Sequence, residues 1–157
     1  MRVRQLIAAN KSIESETAWS SKDLQHRHAP VYPKTKPIRA GWVWKSARCA
    51  AGVQNYILLA ECNPPRDNWK AMLILETPTG WSVVGRFEFH GSHPGLHFHC
   101  DCDRSGEEPG AKSIDNLERI PRAKSFHRRS SAWTENSFWD AAKKFFRIQD
   151  QRGLLGL

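Results

Sequence analysis

Long apolar runs are missing from this 157-residue chain, and so is any dense framework of cysteines. No stretch approaches the roughly 20 consecutive apolar residues that a bilayer-spanning helix needs. Met1 to Asn10 carries arginines but no apolar run of the kind a secretory signal contains, so a soluble, cytoplasmic protein is expected. The four cysteines, Cys49, Cys62, Cys100 and Cys102, form no C-x-x-C pair, and reduced thiols are expected rather than disulfides. Acidic side chains are also scarce: 16 Asp and Glu stand against 24 Lys and Arg, a net charge of +8 at pH 7. That balance suits a partner with a phosphate backbone, because each phosphate neutralised by a cation releases counterions.

What is present is aromatic bulk. Seven tryptophans and seven phenylalanines within a 39% hydrophobic composition are enough for one domain with a real core. The charge is unevenly spread, with basic flanks around an acidic middle. Residues 1–40 read as a basic N-terminal arm, with weak helical character around Arg4, Leu6, Ile7 and Ile13 and a proline-rich linker from His26 to Pro37. His26 and His28 read as part of that solvated arm, with a place in a site as the alternative. Residues 41–157 read as a single α+β domain.

The most patterned stretch is Trp81 to Asp103, WSVVGRFEFHGSHPGLHFHCDCD, which packs four of the seven histidines into ten residues. Val83, Phe87 and Phe89 alternate with Arg86, Glu88 and His90; Leu96, Phe98, Cys100 and Cys102 alternate with His97, His99, Asp101 and Asp103. A period of two marks strands with one apolar and one polar face. The Gly91-Ser92-His93-Pro94-Gly95 cluster between them has the residues of a tight turn, so the two runs are expected to pair as an antiparallel hairpin. Arg86, Glu88 and His90 would then lie across from His97, His99 and Asp101. Upstream, the apolar runs Gly41 to Trp44, Val53 to Glu61 and Trp69 to Glu76 are separated by short turn-forming connections. Glu61 and Glu76 each end such a run and read as solvated strand-end carboxylates, with a place in the histidine site as the alternative.

Downstream, Thr134 is a good helix N-cap, Glu135 favours the first turn, and Lys143 and Lys144 favour the end. Phe138, Trp139, Ala142, Phe145 and Phe146 recur at helical spacing as a stripe to be buried. The expected fold is therefore α+β, an antiparallel meander of four to five strands with this C-terminal helix on its apolar face and the histidine face left open.

Three chemistries suit that face. Alternate residues His97 and His99 can ligate one zinc or manganese ion, with His90, Glu88 or Asp101 as the third ligand. Without metal, His97, His99, His90, Glu88 and Arg86 can supply the general base, general acid and phosphate stabilisation that cleave RNA through its own 2′-hydroxyl. The third is structural, with the histidines pairing Glu88 and Asp101. The basic segment PRAKSFHRRSS adds Lys124, Phe126, His127, Arg128 and Arg129, cations and an aromatic suited to a nucleic-acid strand.

Residues 83–95, VVGRFEFHGSHPG, resemble the VVGWYHSHPG segment of JAMM-type zinc isopeptidases. Here the spacing His90-Gly91-Ser92-His93 is one residue longer, and the Ser-x-x-Asp that follows in that family is missing. The resemblance implies a zinc hydrolase as a remote alternative. In architecture alone, a helix-flanked sheet with basic arms and a His/Glu/Arg face is similar to small toxin-type ribonucleases. The reading of the sequence is a small nucleic-acid-directed hydrolase, RNA before DNA; a non-enzymatic nucleic-acid-binding module holding a structural zinc is the alternative.

Overall fold

The computed structural model describes residues 3–90, the backbone of 96–99 with the Phe98 side chain, and residues 133–151. Its elements run α1 (Val3–Ala8), β1 (Lys11–Glu16), β2 (Val43–Ala51), β3 (Gln54–Asn63), β4 (Asn68–Thr77), β5 (Gly80–Phe89), β6 (Leu96–His99), α2 (Glu135–Phe145) and β7 (Ile148–Gln149). The fold is sheet-rich and broadly α+β. All strands join one sheet in the order β6-β5-β4-β3-β2-β1-β7, antiparallel except for the parallel pair β1 and β7. Among the described residues this is seven strands rather than four to five. The two extra come from sequence with little strand signal: β1 offers one apolar residue, Ile13, and β7 is two residues long.

One face of the sheet carries most of the core. Tyr56, Leu58, Ala60, Trp69, Ala71, Leu73, Phe87 and Phe89 meet α1 and α2 there. Thr134 caps α2: its hydroxyl accepts from Ser137 N–H at 3.1 Å, and the Ser137 hydroxyl accepts from Thr134 N–H at 2.9 Å. The α2 rings then interleave with the sheet, Phe138 5.6 Å from both Trp69 and Phe87, and Phe145 5.0 Å from both Phe87 and Phe98. Among the described residues no helix is long and apolar enough to cross a membrane.

The second face is covered by the segment expected as an extended arm. Its backbone is tied down at Ser20, which exchanges hydrogen bonds with Trp44, and at Leu24, which exchanges them with Lys36, all at 2.9 Å. Leu24 and Ala29 are fully buried against Trp44, Ile57, Leu59, Met72 and Ile74, with Val31, Tyr32 and Ile38 packed beside them. Prolines and absent periodicity describe the local conformation of this segment; the buried Leu24 and half-buried Tyr32 decide where it goes.

A β-bulge separates the two halves of β5. Leu73 pairs with Gly85 and Ile74 with Val83, leaving Val84 as the extra residue. The apolar set Val83, Phe87 and Phe89 is therefore split: Val83 packs on the second face, Val84, Phe87 and Phe89 on the first. Strict alternation through one strand cannot reveal this, because a bulge reverses the parity of everything beyond it.

Lys11 is 2% exposed, and its ammonium donates to the carbonyls of Ile7 (3.1 Å), Ala9 (2.8 Å) and Phe146 (2.9 Å). It joins the ends of both helices to β1. Burial pushes its pKa down to about 8, with Cys49 opposing and Arg147 reinforcing. An unfolded lysine keeps its proton to about pH 10.4. Between pH 8 and 10 the unfolded chain therefore binds more protons, and stability rises with pH. Relative to Lys11→Met, the wild type is expected to gain about 1 kcal/mol per pH unit in that window. Urea titrations of both proteins at pH 7 and 9.5 check this; a constant difference would contradict it.

Candidate active site

On the second face, beyond the apolar cover, polar residues fall in register across adjacent strands. Trp44 lies opposite Glu61, Glu61 opposite Lys70, Lys70 opposite Glu88, and Glu88 opposite His97. The next row runs Leu59, Met72, Arg86, His99. Residues opposite one another share a face, so the rows place Arg86, Glu88, His97 and His99 on the Glu61 and Lys70 face. The bulge at Val84 is the device that does this. Continuing the register of Ile74 with Val83 would set Glu88 beside Trp69, on the apolar face.

Glu88 is 8% exposed. Its carboxylate lies 3.2 Å from the Arg86 guanidinium and 3.9 Å from His90 Nε2. Pairing of this kind makes burial of the charge tolerable. Three of the five residues expected in the catalytic set, Arg86, Glu88 and His90, are thus gathered with their side chains, while His97 and His99 are placed by backbone register. Asp101, and with it Lys124, Phe126, His127, Arg128 and Arg129, lies outside the described residues, as do Cys100, Cys102 and positions 91–95.

The second carboxylate is Glu61, and it is not a solvated strand end. It is 3% exposed and accepts from Lys36 at 2.6 Å and from the Tyr32 hydroxyl at 2.7 Å, with the Lys70 ammonium at 3.3 Å. Burial alone would raise its pKa; Lys70, Lys36 and the Tyr32 hydrogen bond outweigh burial and hold the carboxyl below its ordinary value. Burial and the Glu61 charge push the Tyr32 hydroxyl up, against the Arg86 guanidinium, so Tyr32 stays a proton donor. Glu76, by contrast, is exposed at the far end of β4 and accepts from Asn55 at 2.8 Å. The lysine and tyrosine on Glu61 come from residues 32–36, whose place over the sheet no local pattern announces.

His26 and His28 stay apart from this site. The His26 Nδ1 bonds the Tyr32 carbonyl at 2.7 Å, and His28 packs on Trp44 with ring centroids 5.2 Å apart. Burial, then Arg27 and Arg48, lowers the His28 pKa. Cys49 and Cys62 are free thiols in the core, and burial pushes both up, Cys49 to about 12. They are inert as nucleophiles. Among the described residues no group of three His, Cys, Asp or Glu converges as a metal site.

Beside Glu61 the surface opens into a cleft of about 420 Å³. Pro37, Ile38, Trp42 and Val43 form its apolar wall, and Lys36, Arg39, Glu61 and Lys70 its polar part. Compared with protein-family models, with curated proteins and with solved structures, the chain finds no match, so its chemistry has to be read from these residues themselves.

Proposed function

We propose that the chain is a small nucleic-acid-directed hydrolase that cleaves RNA through its own 2′-hydroxyl, using the Arg86, Glu88, His90, His97 and His99 face. The observation that supports this is the Glu88 carboxylate held between Arg86 and His90, with His97 and His99 opposite in register. Glu88 takes the 2′-hydroxyl proton as the 2′-oxygen attacks phosphorus. An imidazole, His97, returns a proton to the departing 5′-oxygen. Arg86 faces the non-bridging oxygens, where negative charge builds. The P–O5′ bond breaks, leaving a 2′,3′-cyclic phosphate and a 5′-hydroxyl.

Cations surround both carboxylates here: Lys36 and Lys70 about Glu61, Arg86 against Glu88. Such a field attracts a phosphate and repels a divalent cation, which favours the metal-free version over zinc or manganese on His90, His97, His99 and Asp101. Incubating the chain with labelled RNA tests the proposal. Cyclic-phosphate ends formed equally with and without chelator are expected. RNA binding without cleavage, in a protein carrying one tight zinc, would replace the enzyme by a binding module.

Affinity for single-stranded RNA is expected to fall steeply with salt. Arg128→Ala with Arg129→Ala should reduce the log–log slope by about 1.4, since each of the two phosphate contacts on a single strand contributes roughly 0.7. An unchanged slope would remove that basic segment from the binding surface.

A further inference from the structure

The cleft beside the charged rows has features that catalysis at Glu88 does not use. Its rim is a four-residue turn, Arg39 to Trp42, closed by Trp42 N–H donating to the Arg39 carbonyl at 3.1 Å, with Gly41 at φ +85° in the position where a type II turn needs a positive φ. A Cβ at Gly41 would sit 3.1 Å from the Asn63 Oδ1, on a side chain that is itself buried and accepts from Arg66 N–H at 3.3 Å. The turn is thus seated against β3 and holds Trp42, a half-buried indole, at the cleft wall. Lys36, Arg39 and Lys70 against Glu61 leave the lining with a net charge of +2. The Glu61 charge is already met by Lys36, Lys70 and Tyr32, while Arg39 is exposed and makes no ion pair with a described residue. A volume of this size lies within the usual range for small-molecule sites, about 300–1,000 Å³.

We infer that this cleft binds a nucleotide unit, with the base against Trp42 and its apolar neighbours and the phosphate on Arg39, supported by Lys36 and Lys70. A half-buried indole and an exposed guanidinium within one turn match a planar aromatic ring joined to an anion, and every base presents such a ring. Adjacent strands stand about 4.8 Å apart. Glu61, Lys70 and Glu88 occupy successive strands, so the cleft floor and the Glu88 centre are close enough for neighbouring parts of one strand to occupy both. Its role as a subsite for the strand being cleaved rests on the hydrolase reading; its affinity for a nucleotide does not.

The test is titration of the full chain with adenosine 5′-monophosphate, adenosine and inorganic phosphate, followed by the indole N–H resonances in NMR spectra, together with a non-cleavable 2′-O-methyl oligonucleotide. The mononucleotide is expected to shift one indole strongly and to bind at least about tenfold more tightly than adenosine or phosphate alone. Trp42→Ala and Arg39→Ala should each weaken it about tenfold, and Glu76→Gln, at an exposed carboxylate away from the cleft, should leave it unchanged. Weaker oligonucleotide binding in the same two variants would assign the cleft to the strand; mononucleotide binding alone would assign it to a free nucleotide. A chain that binds the nucleotide through Trp42 and Arg39 but never cleaves RNA keeps this inference and loses the hydrolase. Cleavage without nucleotide binding, phosphate binding as tight as the nucleotide's, or affinity indifferent to Trp42→Ala overturns it.

Discussion

Replacing Glu61 with glutamine is expected to destabilise the protein by about 3 kcal/mol, the lower end of the cost of breaking a buried ion pair from one side. The carboxylate holds Lys36, Lys70 and Tyr32 together, and a neutral amide leaves two ammonium groups facing each other over one carbonyl oxygen. The lower end applies because the Lys36 and Lys70 side chains retain 39% and 25% of their exposure and can turn partly into water. The effect also has a pH signature. The folded-state pKa of Glu61 is held below its ordinary value, so its contribution is present above the unfolded pKa, about 4.3, and disappears as pH falls through the lower folded value. The gap between wild type and Glu61→Gln should accordingly narrow below about pH 4. Glu76→Gln is the control: an exposed carboxylate with one amide partner should change stability by no more than about 0.5 kcal/mol. Urea denaturation of the three proteins at pH 7 decides it, and equal midpoints for the two variants would rule out Glu61 as the hub of the second face.

The parts of this fold that are legible in the residues are those where local preference and burial agree. VQNYILLAE and WKAMLILE are continuous apolar runs between turn formers and become β3 and β4, buried on both faces. Thr134 and the aromatic stripe behind it define α2 before any contact is known. Legibility ends where a distant contact overrides the local signal. Nothing in the residues around Lys11 announces its burial, which follows from three backbone carbonyls at two helix ends converging on it. Glu61 reads as a strand end, since the lysine and tyrosine that neutralise it arrive from a segment 25 and 29 residues earlier. The polar face of β5 is legible as a set, Arg86, Glu88 and His90, whereas the bulge that turns this set away from Trp69 is fixed by the pairing with β4, and Gly85 beside the extra residue is its one local sign.

Cleavage of RNA is expected to fall about a hundredfold or more in each of Glu88→Gln, His97→Ala and His99→Ala, the usual cost of removing a general acid or base. Their effects should separate in the pH dependence. With Glu88 as the base, its loss removes the acidic limb of a bell-shaped rate profile. With His97 as the acid, its loss removes the alkaline limb. Arg86→Lys keeps the charge but not the paired donors of the guanidinium, so it should lower the rate of the chemical step more than the affinity for RNA. Folding is the necessary control for Glu88, which is buried and paired with Arg86, and thermal unfolding of each variant supplies it. A chelator should leave the wild-type rate unchanged; a loss equal to that of the histidine variants would instead return the metal to His90, His97 and His99. Variants that fold, bind RNA as the parent does and keep the full rate would end the case for catalysis on this face.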